Sequence, residues 1–254
     1  MVSRKITANT NGIPFPFPWS YRSVIGKLNY LEKSSRPDIS FVVHQMARYS
    51  TKTRHSHGQA IKHLGRYLLG TRHQGIILHP TKPLDLVTYV DADFSGTWDP
   101  KYAKDDPDTA RSRSGYIVFL ANSPLFWSSK LQTIIALSTA ESELIALSEA
   151  TRFIQSITYL IDEIQDRKLI TTSTPKIKCR IFEDNEAALE ISRTPKIRPR
   201  TRHINVIYHH FRSEVYNERV KVEPIKTTEN AADILTKQLD VTLFRKHRLK
   251  INGW

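Results

Sequence analysis

LSTAESELIALSEATRFIQSITYLIDEI (137–164) is the stretch whose reading decides how this chain folds. Ser138 or Thr139 supplies N-cap chemistry. Beyond it Leu147, Ile154, Ile157 and Ile161 recur so that, at about 100° per residue, they share one stripe. The stripe predicts a helix running to about Ile164 with its apolar face laid on a sheet. Glu143 falls inside that stripe, one turn before Leu147, whereas Glu141 projects to nearly the opposite side. An ionised carboxylate on a core face is costly unless it is paired or holds a metal. Glu143 is therefore a candidate ligand, and Glu141 is expected to be a solvated first-turn acid favoured by the helix dipole.

Outward from this helix the period changes to that of strands. Upstream, LDLVTYVDADF (84–94), SGYIVFLA (114–121) and PLFWSSK (124–130) read as three strands, with Asn122-Ser123 as a tight turn. Downstream, KIKCRIFED (176–184) and Val220 to Ile225 read as two more, separated by helices over Asn185–Ser192 and Arg202–Tyr216 and followed by one over Asn230–Gln238. The order β-β-β-α-β-α-α-β-α predicts an α/β layer in which three antiparallel strands are extended by parallel additions. Before it, Val24, Ile25, Leu28 and Leu31, then Ile39, Val42, Val43 and Met46, and then Ile61, Leu64 and Leu68 follow helical spacing, with Gly70 as a stop. The expected organisation is an extended leader (1–20, broken by Pro14, Pro16 and Pro18), a small helical unit (21–80), an α/β domain (83–240) and a basic tail (241–254).

Composition narrows the function classes. The 254 residues carry 38 Lys and Arg against 25 Asp and Glu, a formal charge of +13, which nominates a polyanion as partner. No apolar run approaches the roughly 18 residues of a membrane span. The single Cys179 excludes an internal disulfide and thiolate-based zinc sites, and suggests a reducing, intracellular setting, cytoplasmic or nuclear. The charge is segregated: Ile39–Leu84, Arg193–His203 and Val241 onward hold no acid, while acids concentrate between Asp85 and Glu190. That pattern suits a polyanion gripped by basic flanks while carboxylates act on it.

Three acids join Glu143. Asp91 ends the first strand, Asp184 ends the fourth at the turn into a helix, and Asp233 lies in the first turn of the last helix. Each alone has an ordinary reading as turn former, cap or dipole partner. Together, at the carboxyl ends of strands in an open α/β sheet, they stand where such folds place their sites. Four oxygen donors point to Mg²⁺ or Mn²⁺. Two such ions about 4 Å apart suit an in-line phosphodiester displacement.

The order Asp, Glu, Asp, Asp on these elements resembles ribonuclease H, and specifically the ribonuclease H domain of copia-type LTR retrotransposon Pol polyproteins. The matching strings are YRSVIGKLNYLEKSSRPDISFVVHQMARYS (21–50), YVDADFSG (89–96), RSRSGYIVFL (111–120), FWSSKLQTIIALSTAESELIAL (126–147), EDNEAAL (183–189), RTRHINVIYHHFR (200–212) and ENAADILTKQL (229–239). The resemblance implies a mixed five-stranded sheet with flanking helices, preceded by a thumb-like helical segment that grips nucleic acid. It implies that Asp91, Glu143, Asp184 and Asp233 bind two Mg²⁺, with Mn²⁺ as a substitute, and hydrolyse the RNA strand of an RNA–DNA hybrid. Arg113, Ser114, Lys130, Asn185 and Arg202 are the expected phosphate or sugar contacts.

The chain also departs from that pattern. Many ribonucleases H carry a histidine just before the last helix, but here the loop is PIKTTEN (224–230). Asn205 replaces the acid that commonly follows His-Ile in these elements. Reverse transcription needs two adjacent strand aspartates; Ala92 separates those of YVDAD, and Asp105-Asp106 lie in a polar loop. The expectation is a Pol fragment without a polymerase site, working beside upstream fingers and palm, or else a non-catalytic nucleic-acid-binding relic. An integrase is disfavoured because its glutamate comes last and its zinc module needs two cysteines.

Overall fold

The apolar spacing of the first third closes into three helices around a core of their own. Helix α1 (Tyr21–Ser34) starts at Ser20, whose hydroxyl accepts the Ser23 amide. Pro37 opens a single 3-10 turn (Pro37–Ile39) before α2 (Ser40–Ala47), and α3 covers His55–Gly70. Gly70 belongs to the helix, and Thr71 is its cap. Ile25, Ile39, Val43, Met46 and Leu64 meet between the three helices. The computed structural model describes residues 6–81, 84–169, 177, 179–193 and 209–253. Of the leader, Pro14 bridges to Arg54, and the rings of Phe15, Phe17, Trp19 and Tyr21 meet at 4.9–5.7 Å, so its extended backbone is packed on α3.

Strands β1 (Leu86–Asp93), β2 (Arg113–Leu120), β3 (Ser123–Leu131), β4 (Cys179–Glu183) and β5 (Lys221–Pro224) form one sheet in the order β3-β2-β1-β4-β5. The first three pair antiparallel, and β4 and β5 are added in parallel. The β2–β3 turn is Ala121-Asn122, one residue earlier than the sequence suggests. Both residues have positive φ, 49° and 67°, which matches the twist of a two-residue hairpin. Helix α4 (Thr139–Asp166) supplies the crossover to β4 and lays Leu144, Leu147, Ala150 and Ile154 on Leu86, Val90, Val118 and Ile181. After β4 come α5 (Glu186–Arg193) and α6 (His209–Tyr216). The expected start of α6 near Arg202 and most of the basic block 193–203 lie outside the described residues.

The opposite face of the sheet corrects the expectation for the carboxyl end. After β5 comes a 3-10 turn (Thr227–Glu229), and then α7 is only Asp233–Thr236 rather than a helix over Asn230–Gln238. The supposed basic tail is a helix, α8 (Val241–Asn252), capped by Asp240 and closed by Gly253 at φ 80°. Arg245, Lys246 and Lys250 are exposed while Ile251 packs beside Ile117, Phe119, Ile234 and Leu235. The same helix ties the two parts of the chain together. Asp38 accepts from Arg36 (2.9 and 2.8 Å) and Tyr67 (2.5 Å), with Asn252 Nδ2 at 3.4 Å. Trp127 donates to the Glu32 carbonyl at 2.8 Å, and Arg48 and Tyr49 hold Asp106 at 2.6 and 2.9 Å. Asp106 thus ties its loop to the end of α2.

Candidate active site

Strand alternation places the acids at the sheet's carboxyl edge. In β1, Leu86, Val90 and Ala92 face α4, so Asp91 faces α7. There it accepts from Thr236 Oγ1 in a short hydrogen bond, and Lys237 Nζ stands 3.3 Å away. Asn230, fully buried, donates to the Val90 carbonyl at 2.8 Å and thereby holds the approach to α7 against β1. Opposite Asp91 on β2 is Gly115, where a Cβ would meet Thr236 Cγ2 at 2.5 Å and Leu235 Cβ at 2.9 Å. The absent side chain lets α7 approach closely enough to bring Asp233 to Asp91.

On the other face, Glu143 follows from the first turn of α4 and is 6% exposed. In β4, Cys179, Ile181 and Glu183 alternate inward, so Glu183 arrives beside Glu143. Asp184, the next residue, is half-buried and serves both sides. Carboxylate oxygens of Asp91, Asp184 and Asp233 lie within 4.8 Å of one another, as do those of Glu143, Glu183 and Asp184. The four acids named from the sequence are therefore brought together, with Glu183 as a fifth. Glu183 is not among the ligands read from the sequence, although it lies in the strand pattern KIKCRIFED and the inward alternation of Cys179 and Ile181 extends to it.

The electrostatics follow from crowding five acids in a buried edge. Burial raises the Glu143 carboxyl well above its usual range, and Glu183, Asp91 and Asp184 add to the rise. Burial likewise lifts Glu183 to about 8 and, with Asp91, Asp233 to about 7. Asp184 is raised by burial and by Asp91, against a hydrogen bond from Thr227. Thr227 belongs to the loop that lacks the histidine, so a neutral hydroxyl reaches the acids from there. Lys237 is the local counter-charge, 2.9 Å from Asp233 Oδ1 and 3.3 Å from Asp91 Oδ1. Burial alone would lower its pKa, but the two carboxylates reverse the sign and hold it charged. Its spacing four residues after Asp233 was the available sequence signal.

Other expected contacts fare differently. Arg113 is 3% exposed, donates to Ser129 Oγ at 3.2 Å and lies 5.5 Å over the Phe41 ring. Ser114, 1% exposed, accepts from Gln132 Nε2 at 3.1 Å. Both are buried polar groups of β2 in this structure. Lys130 is exposed, and the Asn185 side chain caps α5 through the Ala188 amide at 3.0 Å. Arg202 lies outside the described residues. Glu141 is not solvated: it is 4% exposed, and its carboxylate accepts the Leu137 amide at 2.7 Å while its own amide donates to Ser138 Oγ. It completes the helix start from the protein side, which removes it from the cluster.

No family model matches the chain. It is 34% identical over 241 residues to the retrovirus-related Pol polyprotein from transposon RE1 of Arabidopsis thaliana, covering 95% of this chain and 15% of that protein. The corresponding polyprotein from transposon TNT 1-94 of Nicotiana tabacum is 32% identical over 217 residues, 85% of this chain and 15% of its own length. A shorter relative, secreted RxLR effector protein 161 of Plasmopara viticola, is 36% identical over 132 residues, covering 52% of this chain and 87% of that protein. Among solved structures, an RNase H1 isolated from compost by a metagenomic approach aligns with a TM-score of 0.41 at 16% identity, over 61% of this chain and 94% of that one. The N-terminal RNase H domain of Mycobacterium tuberculosis rv2228c aligns with a TM-score of 0.38 at 15% identity, over 65% and 96%. The chain itself has a mixed five-stranded sheet in the order β3-β2-β1-β4-β5 with flanking helices. It is a homologue of the Pol polyproteins of copia-type retrotransposons, which match it along nearly its whole length and of which it spans about 15%.

Proposed function

We propose that this chain is a divalent-cation-dependent ribonuclease H that cuts the RNA strand of RNA–DNA hybrids, as part of a longer Pol polypeptide with reverse transcriptase fingers and palm. The observation that carries the reading is the convergence of Asp91, Glu143, Asp184 and Asp233, from four separate elements, at one buried sheet edge. The donor set fits Mg²⁺ or Mn²⁺: it consists only of carboxylates, and buried oxygens of Glu143 and Glu183 have no hydrogen-bond partner. When bound, a pair of such ions would neutralise charge on the attacking and leaving oxygens of a phosphodiester.

The residues supply the rest. Asp91, central to the edge, is oriented by Thr236 and Lys237, and Asp184 links the two carboxylate groups. Net negative charge at this edge repels a bare phosphate, so the site favours its substrate only once cations are held. The basic composition of the chain supports a backbone grip elsewhere, with Lys130 exposed and available. Labelled RNA–DNA hybrid incubated with the purified chain and Mg²⁺, beside Asp91→Asn, tests the reading. Cutting by the wild type alone is expected. Absence of cutting, or equal cutting by the variant, refutes it and leaves a nucleic-acid-binding role, visible as salt-dependent retention of hybrid.

A further inference from the structure

The cluster has two halves that differ in one respect. Around Asp91 and Asp233 a cation is already present, the Lys237 ammonium at 2.9 and 3.3 Å from their oxygens. Around Glu143 and Glu183 no cation of the described residues is directly paired: Glu143 Oε2 and Glu183 Oε2 are buried and have no hydrogen-bond partner, and Lys237 acts on Glu143 only through its field. Glu183 is 0% exposed, and its other oxygen accepts the Asn185 amide at 3.0 Å, which fixes the carboxylate at the end of β4. We infer that Glu183 is a cation ligand, that with Glu143 and Asp184 it forms a position for Mg²⁺ or Mn²⁺ distinct from the Asp91–Asp184–Asp233 position, and that the Glu183 position fills first.

The argument deepens the proposed function and rests on its reading of the edge as metal-dependent. Buried carboxylate oxygens without donors are costly unless an ion or a proton is supplied. An all-oxygen set with no imidazole or thiolate selects hard divalent cations. Filling the Asp91–Asp233 side requires Lys237 to give way first, whereas entry at Glu143–Glu183 displaces no directly paired counter-charge. The order of filling follows. The rival occupant is a proton shared by the two glutamates, which would leave Glu183 outside cation binding.

Titration of the metal-free full chain with Mn²⁺, with free Mn²⁺ read by electron paramagnetic resonance, separates these. The wild type is expected to bind in two steps of unequal affinity. Glu183→Gln is expected to weaken the tighter step on the order of tenfold or more, a loss typical even of outer-shell partners of metals. Lys237→Met is expected to strengthen the weaker step by a larger factor than the tighter one, because Lys237 pairs directly with Asp91 and Asp233 and reaches Glu143 only through its field. Glu183→Asp, which keeps the charge but retracts the oxygens, gives an intermediate loss and decides the matter if the glutamine variant fails to fold, as judged by circular dichroism in chelator. Wild-type titration by both Glu183 variants, or strengthening of the tighter step in Lys237→Met by as much as or more than the weaker one, overturns the inference. Hybrid cleavage is a separate readout. A wild type that binds two Mn²⁺ in the expected way but cuts nothing refutes the ribonuclease reading and leaves Glu183 a ligand. Cleavage with Glu183-independent binding does the reverse.

Discussion

Without metal, Asp233 should make the chain less stable as pH rises. Its carboxyl is 1% exposed, and its pKa is raised from 3.8 to about 7 by burial first and then by the Asp91 charge. The folded chain therefore keeps a proton that the unfolded chain gives up near pH 4. The stabilisation is complete below the unfolded value and is lost as pH climbs to about 7. At about 1.4 kcal/mol per pH unit, some 4 kcal/mol is at stake over the full span, and about 3 kcal/mol between pH 5 and 8. Set against a total stability of about 5–15 kcal/mol, that is a large share. Glu143, Glu183 and Asp184 shift in the same sense as Asp233, and buried His247 works in the opposite sense, its pKa lowered to about 4 by burial and nearby lysines, so the wild-type profile alone mixes them all. Asp233→Asn separates its share, because His247 and the other acids are common to both proteins. Urea unfolding in chelator at pH 5 and pH 8 should show the variant gaining about 3 kcal/mol on the wild type across that interval. Saturating Mg²⁺ should erase the gain by stabilising the wild type through its acids. A difference between the two proteins that stays constant from pH 5 to pH 8 in chelator would refute the placement of Asp233 in a buried acid cluster.

Gly115→Ala should cost about 1–3 kcal/mol in urea unfolding, since its Cβ would press on Thr236 and Leu235. The same substitution should depress hybrid cleavage by moving α7, and unchanged activity would mean that the contact relaxes without moving Asp233. Asp38→Ala should destabilise by about 3–5 kcal/mol, because it strands the buried Arg36 guanidinium. A loss under 1 kcal/mol would show that this network is hydrated. Ile251→Ala should cost about 2–5 kcal/mol in thermal or urea unfolding if the carboxyl-terminal helix is core rather than tail.

How far the sequence reaches is clearest in particular residues. Glu143 is legible because a helix repeats every 3.6 residues, so its neighbours alone say which way it points. Asp91 is legible as the end of a strand pattern, and the three antiparallel strands followed by parallel ones come from the order of elements. The same local logic places Glu183 inward on β4, although only the structure puts Glu143 beside it. It also fails in instructive ways. The burial of Arg113 and Ser114 is not legible in the sequence, because it follows from β2 being covered on both faces. Glu141 looks solvated until Leu137 turns its amide toward it. The carboxyl-terminal helix reads as a charged tail because its four basic residues outweigh the few apolar ones that Asp240 and Gly253 frame.

What the sequence determines by itself is the set of elements, the faces they bury and the order of the four acids, because these depend on periodicities that act within a few residues. What only the tertiary structure decides is who meets whom across the edge. Lys237 lies between Asp91 and Asp233, Gly115 makes room for Thr236, and Glu183 finds Glu143. Charge balance in a buried cluster is set by distances between groups far apart in the chain, and those distances exist only after the sheet, α4 and α7 have closed on one another.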